Sequence, residues 1–328
     1  MFSLQPFLLQ SEDYNPCFVD MRRCSAIVVT YNSAAHIEAC LRALAPQNCE
    51  IVVVDNASQD DTVTRVKTLA THVPLQLITV SRNVGFAGGV NHGARAASGE
   101  VLLILNPDAI AESGAVGELL ECLAHSGAAA AGGALWSSDG QPANGFSFRQ
   151  LPTLSSLLFE ALLINQFWPG NLVNRRYRCL ELNQLQQQEV EQPAGACLAV
   201  TRAAWESMQG MDTQFFPVWF EDVDFCARLR KSGAKIMYCP AARFQHSGAH
   251  SVGQLEFGDK QQFWYGNMLR YARKHLAPWR VFVLRFGIVL GMGLRALAAT
   301  VGGGPKGIPW RTAVQGYWRV AKFATGLS

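Results

Sequence analysis

Short apolar runs alternate with segments of helical periodicity through the first third of the chain. The runs rich in β-branched and aliphatic residues predict strands, which cover residues 25–30, 50–54, 75–80 and 101–105. Between the strands, apolar residues three and four positions apart predict helices, one opening at Ser33 and one after Ser58. Ser58 and the acid three residues later form a capping-box pattern for a helix through Leu69. The alternation predicts a doubly wound, mainly parallel α/β sheet with flanking helices.

The segment Val101–Asp108 carries the strongest single signal, because five apolar residues lead directly into a short polar turn. Such a run is typical of a strand buried on both faces, and Pro107 ends it because proline has no N–H for the ladder. Asp108 is therefore expected at the carboxyl end of a central strand, where open α/β sheets bind ligands. A carboxylate there can hold a cation and the phosphates that it bridges. The alternative is that Asp108 caps a helix predicted from Glu112.

A glycine-rich segment, residues 83–93, leads into a helix that is expected to end near Ser98. The dinucleotide-binding fingerprint requires glycines directly after the first strand, and the residues there are Tyr31, Asn32 and Ser33. The sequence also contains no G-x-x-x-x-G-K-[ST] phosphate loop. These two observations exclude dinucleotide-binding dehydrogenases and the P-loop kinases and nucleotide hydrolases.

The pattern after Asp108 is less regular. It predicts a helix over 112–125 and then an Ala/Gly-rich strand over 128–134. Residues 136–192 contain one apolar helix candidate, 154–167, and a polar stretch, and we interpret them as an insertion that forms one wall of a cleft. Regular structure resumes with a turn of small residues at 193–196, which leads into a strand that ends at Val200. A helix is predicted from Arg202, and a further strand over 234–238.

A cluster of acids precedes the strand predicted over 234–238. It consists of Glu221, Asp222 and Asp224, and aromatic residues lie on both sides of it. Like-charge repulsion and desolvation in such a setting raise the pKa of a carboxyl group and favour a general base. The alternative is an acid-rich helix N-terminus, which the helix macrodipole stabilises. His246 follows a predicted strand, and its position alone fits a structural histidine as well as a metal ligand.

Composition narrows the class of protein. The chain has 328 residues, of which 49% are hydrophobic, enough for one large domain with an appendage or for two small domains. A net charge of +3 is too small to argue for a nucleic-acid partner. The nine cysteines are odd in number, scattered and never spaced as Cys-x-x-Cys. This usage argues against a zinc ribbon or a disulfide framework and favours a reducing compartment.

The two ends of the chain differ from the rest. The first twenty residues lack the basic start and long apolar core of a secretory signal and contain Glu12, Asp13 and Asp20, so we expect a flexible leader over 1–23. Residues 281–301 are apolar except for Arg285 and Arg295. The longest uncharged stretch there is shorter than the ~20 residues that a spanning helix needs.

We therefore expect this C-terminal helix to lie on a bilayer rather than cross it. The tail beyond it mixes basic and aromatic side chains suited to lipid headgroups, namely Lys306, Arg311, Arg319, Lys322, Trp310, Tyr317 and Trp318. The alternative is that residues 281–301 pack against the catalytic domain or a second subunit in a homodimer.

Taken together, the chain resembles glycosyltransferase family 2, the inverting enzymes of the GT-A fold, and within it the bacterial rhamnosyltransferases. The resemblance rests on seven pieces in family order, at 28–32, 53–58, 83–91, 105–108, 193–196, 221–224 and His246. It implies a GT-A domain over 24–275, followed by a C-terminal helical region over 276–328. Within the GT-A domain, the resemblance implies a nucleotide-sugar half over 24–134 and an insertion over 135–192. The remaining part, 193–275, would bind the acceptor and carry the catalytic residues.

The resemblance also implies roles for particular residues. Residues at the strand ends and in the glycine-rich segment would bind the donor: Thr30, Tyr31, Asn32, Asp55, Asn56, Arg82, Asn83, Gly85, Phe86, Gly89 and Asn106. Asn106-Pro107-Asp108 corresponds to the metal-binding D-x-D of the family, with asparagine in place of the first aspartate. Because only one carboxylate remains there, His246 and diphosphate oxygens would complete the shell of a Mg²⁺ or Mn²⁺ ion.

On the other side of the cleft, Asp222 corresponds to the base that takes the proton of the acceptor hydroxyl, with Glu221 beside it. The acceptor would lie against Gly195, Ala196, Trp219 and Phe220. The implied reaction is one displacement with inversion, from dTDP-L-rhamnose to a glycan or lipid-linked glycan. The expected location is the cytoplasmic face of the cell membrane, in the synthesis of a cell-surface polysaccharide.

Two other functions remain open from the sequence. A sugar-1-phosphate nucleotidyltransferase has a related sheet, but it would carry a glycine-rich, basic loop where this chain has Tyr31, Asn32 and Ser33. A non-catalytic sugar-binding protein could keep the same fold. The intact acid, metal and glycine motifs argue against that second alternative.

Overall fold

The structure, a computed structural model, describes residues 24–246, 248 and 255–326. The predicted leader over 1–23 lies outside the described residues. Two further short segments, 249–254 and 327–328, and Ser247 lie outside them as well.

The core of the molecule is a mixed sheet. The strands are β1 (Cys24–Thr30), β2 (Glu50–Asp55), β3 (Gln76–Thr79), β4 (Val101–Leu105), β5 (Ala109–Ala111), β6 (Ala130–Trp136), β7 (Phe148–Arg149), β8 (Gln188–Glu189), β9 (Gln192–Pro193), β10 (Cys197–Thr201) and β11 (Ile236–His246). The main sheet has the order β3-β2-β1-β4-β10-β6-β11-β5, with β8 paired to β11, and β7 and β9 form a separate pair. β1 to β4 are parallel where they pair, whereas β10 is antiparallel to both of its neighbours. The predicted α/β fold is confirmed. The expected mainly parallel pairing holds for β1 to β4, whereas the rest of the sheet is mixed.

Helices cover both faces of the sheet. They are α1 (Ile37–Leu44), α2 (Thr62–Leu69), α3 (Gly85–Ala96), α4 (Ala115–Ser126), α5 (Leu154–Ala161), α6 (Ile164–Phe167), α7 (Leu172–Tyr177), α8 (Arg202–Ser207), α9 (Glu221–Lys231), α10 (Phe257–His275), α11 (Pro278–Thr300) and α12 (Trp310–Thr325). One apolar layer joins the sheet to α1, α2 and α4, and a second joins it to α3, α8 and α9. β4 is buried along its whole length between these layers, as its uninterrupted apolar run predicts.

Two helix starts differ from the sequence-based expectation. The prediction of a capping box at Ser58 is wrong, because α2 begins at Thr62. Its N-cap residue is Asp61, whose side chain makes no capping hydrogen bond. Ser58 instead accepts the backbone N–H of Asn32 at 2.9 Å, so it ties two loops together. The glycine-rich segment does not precede a helix but forms one, because α3 already begins at Gly85.

The region after Asp108 also differs in detail. A short strand, β5, follows Asp108 and delays the next helix to Ala115. The helix candidate over 154–167 is broken into α5 and α6, because Leu163 adopts a φ of 65° that no right-handed helix accommodates. The insertion therefore consists of short helices and two-residue strands rather than one long helix.

The three C-terminal helices form a third apolar cluster, and this cluster includes residues of α9 and of α5. The proposed boundary at residue 275 therefore runs through a shared core, so α11 and α12 are packed on the catalytic half. α11 buries one face and exposes large apolar side chains on the other, among them Phe282, Phe286, Leu290, Leu294 and Leu297. The alternative that this region packs against the catalytic domain therefore holds for the inner face of α11, and its outer face stays exposed.

Candidate active site

The loops after β1 and β2 are tied together at the carboxyl edge of the sheet. The Thr30 hydroxyl donates to Asp55 Oδ1 at 3.0 Å, and the Ser58 backbone N–H donates to Asp55 Oδ2 at 3.0 Å. Asn32 has a φ of 49° and accepts a backbone N–H from the loop after β2 through its Oδ1, at 2.7 Å. Tyr31 is half-buried beside them. Four of the predicted donor-binding residues thus lie together, and their role in binding remains a prediction.

Asn56 connects this edge to the start of α3. Its Nδ2 donates to Asn83 Oδ1 at 2.9 Å and to the Gly85 carbonyl at 3.1 Å. Its Oδ1 accepts the backbone N–H of Val84 at 2.8 Å. Arg82 is exposed next to this network. These three hydrogen bonds connect the end of β2 to the loop that precedes α3.

The first turn of α3 is docked on the segment that leads to the acid pair. Gly85 has a φ of 77°, and a Cβ added there would lie 3.0 Å from Phe216 Cδ2 and 3.0 Å from the Pro217 carbonyl oxygen. The Phe86 backbone N–H donates to that same carbonyl at 2.7 Å. Glycine is therefore required at position 85 both for its backbone conformation and for this close approach. The contact joins the predicted donor and acceptor halves.

Gly89 has a different role from the one expected. A Cβ at Gly89 would lie 2.6 Å from Val29 Cγ1, and one at Gly93 would lie 2.4 Å from Ile27 Cγ2. Both glycines face β1 inside the core, so their missing side chains let α3 pack closely on the sheet. The expectation that Gly89 lies against the donor is corrected on this ground.

Asp108 and His246 come together although 138 positions separate them, because β5 pairs with the end of β11. Both side chains are buried, and Asp108 Oδ1 lies 3.3 Å from His246 Nε2. The Asn106 amide nitrogen also lies 3.3 Å from that ring nitrogen. Burial opposes ionisation of Asp108, but the hydrogen bond and charge of His246 outweigh it and lower the pKa of the carboxyl group. The helix-cap alternative is wrong, because the N-cap residue of α4 is Gly114.

This pair fits a divalent cation as two converging ligands. A carboxylate oxygen and an imidazole nitrogen at 3.3 Å can turn toward one ion. Within residues 24–246, 248 and 255–326, no group of three or more His, Cys, Asp or Glu side chains could hold a metal ion. An octahedral ion at this place would therefore need oxygens from the donor diphosphate and water.

The insertion contributes residues that the sequence did not single out. The Phe146 ring stacks on the His246 ring, with centroids 5.6 Å apart and an angle of 14°. The Arg149 guanidinium lies over the Phe146 ring, 5.5 Å from its centroid, and also acts on the charge of Asp222. No carboxylate pairs with Arg149 among the described residues. Arg149 thus adds positive charge near both the Phe146–His246 stack and Asp222.

The acid pair opens α9 after two residues with left-handed backbone, Trp219 and Phe220. Glu221 is buried, and its Oε2 has no hydrogen-bond partner in the described part of the chain. Asp222 is half-buried, and its Oδ2 accepts the Gly195 backbone N–H at 2.9 Å and the Gln192 amide at 3.5 Å. Asp222 is therefore the acid that faces the cleft.

Electrostatics separate the roles of the two acids. Burial and the neighbouring Asp222 carboxylate raise the pKa of Glu221 well above its usual range, which keeps that side chain neutral. Burial also raises the pKa of Asp222, but backbone N–H groups of Gly195 and Val223 act in the opposite direction. An accessible carboxylate with a raised pKa beside a neutral acid is the environment of a general base.

The turn of small residues over 193–196 joins the two halves of the site. A Cβ at Gly195 would lie 2.9 Å from Asp222 Oδ2, so only glycine lets the carboxylate approach the backbone there. The Ala196 carbonyl accepts the Asn106 backbone N–H at 3.0 Å. Residues 195 and 196 therefore link Asp222 to the segment that carries Asp108 and contacts His246.

Two of the residues expected to touch the acceptor behave differently from each other. Phe220 is buried, and its ring packs on Trp264 and Tyr271 at centroid distances of 5.4 and 5.7 Å. The expectation that Phe220 contacts the acceptor is wrong, because its left-handed backbone turns the ring into the core. Trp219 is half-buried and remains accessible, with its ring edge-on to Trp264 at 5.4 Å.

The third acid of the cluster, Asp224, anchors α9. It is fully buried and lies 2.8 Å from Arg228 Nε, 2.9 Å from Lys274 Nζ and 2.7 Å from His275 Nε2. Burial opposes its ionisation, but the hydrogen bonds from His275 and Lys274 and the charge of Arg228 lower its pKa to about 2. These contacts fix the helix that carries Asp222 onto the last turn of α10.

We expect Asp224→Asn to lower the free energy of unfolding by roughly 3 kcal/mol, because it leaves buried cations without their partner. Asp259→Asn is the matched control, since the Asp259 side chain is 48% exposed and its pair with Arg319 spans 3.6 Å. That change should cost less than about 1 kcal/mol. Because the pKa of Asp224 is lowered on folding, its stabilisation is complete at neutral pH and is lost as pH falls below about 4. Denaturant unfolding at neutral pH and below about pH 4 measures the free energy of unfolding of each variant. Equal losses of this free energy in Asp224→Asn and Asp259→Asn would contradict the prediction.

Comparison with known proteins gives an independent view of this site. A model of glycosyl transferase family 2 matches residues 25–180. The N-acetylglucosaminyl-diphospho-decaprenol L-rhamnosyltransferase of Mycobacterium tuberculosis is 28% identical over 286 residues, which cover 82% of this chain and 90% of that protein. The low-salt glycan biosynthesis hexosyltransferase of Haloferax volcanii is 24% identical over 262 residues, covering 79% and 76%. All of these proteins transfer sugars by their names, and none is a nucleotidyltransferase.

Solved structures share the fold. A mannosyltransferase from Pyrobaculum calidifontis in complex with GDP-Man and Mn²⁺ superposes with a TM-score of 0.54 at 18% identity, covering 92% of this chain and 86% of that one. Residues 1–349 of S. aureus TarS in complex with UDP give a TM-score of 0.51 at 15% identity, covering 93% and 92%. The matched regions cover more than nine-tenths of this chain in both cases.

Proposed function

We propose that this chain, a GT-A glycosyltransferase with a family 2 domain, moves an L-rhamnosyl group from dTDP-L-rhamnose to a hydroxyl of a lipid-linked glycan, with inversion. The observation that carries glycosyl transfer is that one turn, 193–196, contacts both Asp222 and the Asn106 segment that bears the Asp108–His246 pair. The sugar and the lipid carrier are supported by the M. tuberculosis relative, which is named for both.

Asp222 is the proposed base. Its carboxylate takes the proton of the acceptor hydroxyl as that oxygen forms a bond to the anomeric carbon. The bond from the anomeric carbon to the donor phosphate breaks at the same time, and the electron pair leaves with the nucleoside diphosphate. Glu221, held neutral, sits behind Asp222 and adds no second negative charge at the point of attack. Arg149 is close enough to favour the charged form of Asp222 before the proton is transferred.

On the donor side, Asp55, Thr30 and Asn56 offer oriented polar groups at the edge of the sheet for the nucleoside. Asp108 and His246 would hold a divalent cation, Mg²⁺ or Mn²⁺, against the diphosphate. Such a cation neutralises the charge that develops on the leaving phosphate. The Mn²⁺ in the P. calidifontis structure supports a divalent cation, and the identity of the ion is part of this proposal.

A donor panel tests the proposal. We expect the purified chain to transfer rhamnose from dTDP-L-rhamnose to N-acetylglucosaminyl diphosphate on a short isoprenoid, detected by mass spectrometry. UDP-glucose, UDP-galactose and GDP-mannose serve as competing donors. Clear turnover of one of these with none of dTDP-L-rhamnose would overturn the choice of donor. Release of pyrophosphate from a nucleoside triphosphate would instead revive nucleotidyl transfer.

The outer face of α11 supports association with a membrane surface. Within the described residues, α11 is long and apolar enough to cross a membrane by length and composition. Two of its three arginines point inward: Arg285 Nε donates to the Ala324 carbonyl, and Arg295 donates to the carbonyls of Ala161 and Glu160. The third, Arg280, is exposed in the first turn, so the outer face is uncharged beyond that turn, while the inner face is packed. A helix fixed to the domain in this way lies along a bilayer and does not cross it.

Cation–aromatic pairs border this face. Arg280 lies over the Trp279 ring at 5.3 Å, and Arg311 lies over the Trp310 ring at 5.4 Å. Trp279 and Trp310 are both exposed at the starts of α11 and α12. Such pairs suit the headgroup zone, where rings and cations meet anionic lipids. The cytoplasmic membrane face is therefore the proposed location of the enzyme.

We expect Leu297→Glu to reduce binding to anionic vesicles roughly tenfold, because burying a leucine contributes about 1.5–3 kcal/mol and a charge removes that gain. Leu185→Glu is the matched control, since Leu185 is 68% exposed and Leu297 is 64% exposed. Vesicle flotation with purified full-length protein measures both. Equal binding by the two variants, or no binding of the unmodified chain at low salt, would contradict a membrane role for α11.

A further inference from the structure

A cavity of about 410 Å³ lies between the turn that precedes α9 and the C-terminal helices. Trp219 forms one wall, three residues before Asp222. Trp264 of α10 lines the cavity beside it, and Arg295 of α11 and Tyr317 of α12 form the opposite wall. The cavity thus touches both the segment that carries the acid pair and the two helices that border the apolar face.

The walls combine aromatic surface with a lysine that has no partner among the described residues. Trp219 and Trp264 are half-buried and meet edge to face, so part of each ring remains open to an apolar ligand. Lys260 lies on the cavity wall and is half-buried. Its ammonium group makes no hydrogen bond or ion pair to any residue that the structure describes. A half-buried lysine without a counter-charge among the described residues favours an anionic ligand.

The second cation of the cavity is already committed. Arg295 donates to the carbonyls of Ala161 and Glu160 at the end of α5, and its guanidinium lies 5.8 Å from the Tyr265 ring centroid. Arg295 therefore fixes the wall and adds positive potential. The one carboxylate on the wall, Glu160, accepts a hydrogen bond from Asn165 at 3.4 Å. The cavity is thus aromatic in surface and positive on balance.

Given the proposed function, on which this inference rests, we propose that the cavity binds the diphosphate and the first isoprene units of a polyprenyl diphosphate-linked acceptor. Lys260 lies beside the phosphates, and the rings of Trp219 and Trp264 cover the isoprene chain. The reacting sugar then extends toward Asp222, and the rest of the lipid leaves across the apolar face of α11. The volume fits this occupant, since ligand cavities of a few hundred Å³ hold molecules of about this size.

Binding of farnesyl diphosphate to the full-length protein tests this, with titration calorimetry as the readout. We expect Lys260→Glu to weaken binding of this probe roughly tenfold or more, the loss of one charge-assisted contact. Lys67→Glu is the matched control, because Lys67 is exposed on α2 and makes the same change of charge far from the cavity. Farnesol and inorganic diphosphate should each bind more weakly than farnesyl diphosphate, since each satisfies one half of the site.

The outcomes separate this inference from the proposed function. Equal affinity for farnesyl diphosphate in Lys260→Glu and Lys67→Glu would overturn the cavity assignment. The assignment would also be overturned if the unmodified protein bound farnesol as tightly as farnesyl diphosphate. Affinity for dTDP should be unchanged in Lys260→Glu, because Lys260 is remote from the donor edge. If the probe behaves as expected but dTDP-L-rhamnose is not used, the donor proposal fails while the lipid diphosphate site stands. If rhamnose is transferred to the lipid-linked acceptor with equal KM in both variants, the cavity assignment fails alone.

Discussion

Replacing Asp222 with asparagine should abolish sugar transfer and leave donor binding intact. Asparagine keeps the shape of the side chain and its contact with the Gly195 N–H, but it cannot take a proton. Loss of a general base costs about 10²–10⁴-fold in rate, so kcat should fall by at least ~100-fold. Single-turnover transfer and calorimetric titration with dTDP measure the two effects separately. Retention of more than a small fraction of kcat would contradict the assignment.

The neighbouring acid supplies the control. The pKa of Glu221 is raised well above its usual range, so its side chain is neutral at working pH and Glu221→Gln removes little charge. That variant should keep most of its kcat. In the unmodified enzyme, kcat/KM should rise with pH through the raised pKa of Asp222, because the base acts only when ionised. This acid limb should be missing in Asp222→Asn, and a loss in Glu221→Gln as large as in Asp222→Asn would reverse the roles.

The parts of this architecture that local sequence dictates were predictable. The apolar run that ends at Leu105 had to become a buried strand, and Pro107 had to end it, so Asp108 could be placed at the sheet edge without a structure. The acids after Phe220 had to lie at a helix start for the same kind of local reason. The pairing of Asp108 with His246 required the resemblance as well, because β5 is too short to predict.

Contacts between distant elements were not predictable. Phe146, Arg149 and Gln192 reach the site from an irregular insertion, where neither periodicity nor a motif marks them. Phe220 looks exposed in the sequence, and only its left-handed backbone turns it into the core. In the sequence, a glycine at position 89 is consistent with phosphate binding and with close packing on Val29, because both require the absence of a Cβ.

The C-terminal region shows how packing changes the meaning of a charge. In the sequence, Arg285 and Arg295 interrupt the apolar stretch and argue against a helix that spans a membrane. In the fold, both side chains bind carbonyls at the ends of other helices, so they stabilise the inner face of α11. Deleting this region would therefore expose the core that it shares with α9, and single substitutions on the outer face are the better test of membrane binding.

Replacing Asp108 with alanine should weaken dTDP binding in the presence of Mn²⁺ far more than in its absence. If Asp108 and His246 hold the ion against the diphosphate, removing the carboxylate should raise the Kd of dTDP with Mn²⁺ by at least about tenfold, the lower end of losses seen when groups around a metal are mutated. With a chelator present, the variant and the unmodified chain should bind dTDP equally weakly. Transfer by the unmodified chain should stop in the chelator and return when Mg²⁺ or Mn²⁺ is added.

The double variant Asp108→Ala/His246→Ala distinguishes a shared ion from two separate contacts. Ligands of one ion act as a unit, so once either is lost the second substitution should add little to the loss of Mn²⁺-dependent affinity. Two independent contacts with the diphosphate would give losses that add, with or without the metal. Chelator-insensitive transfer, or additive losses without Mn²⁺, would refute the cation site. The 3.3 Å approach of Asp108 Oδ1 to His246 Nε2 would then be explained by their hydrogen bond alone.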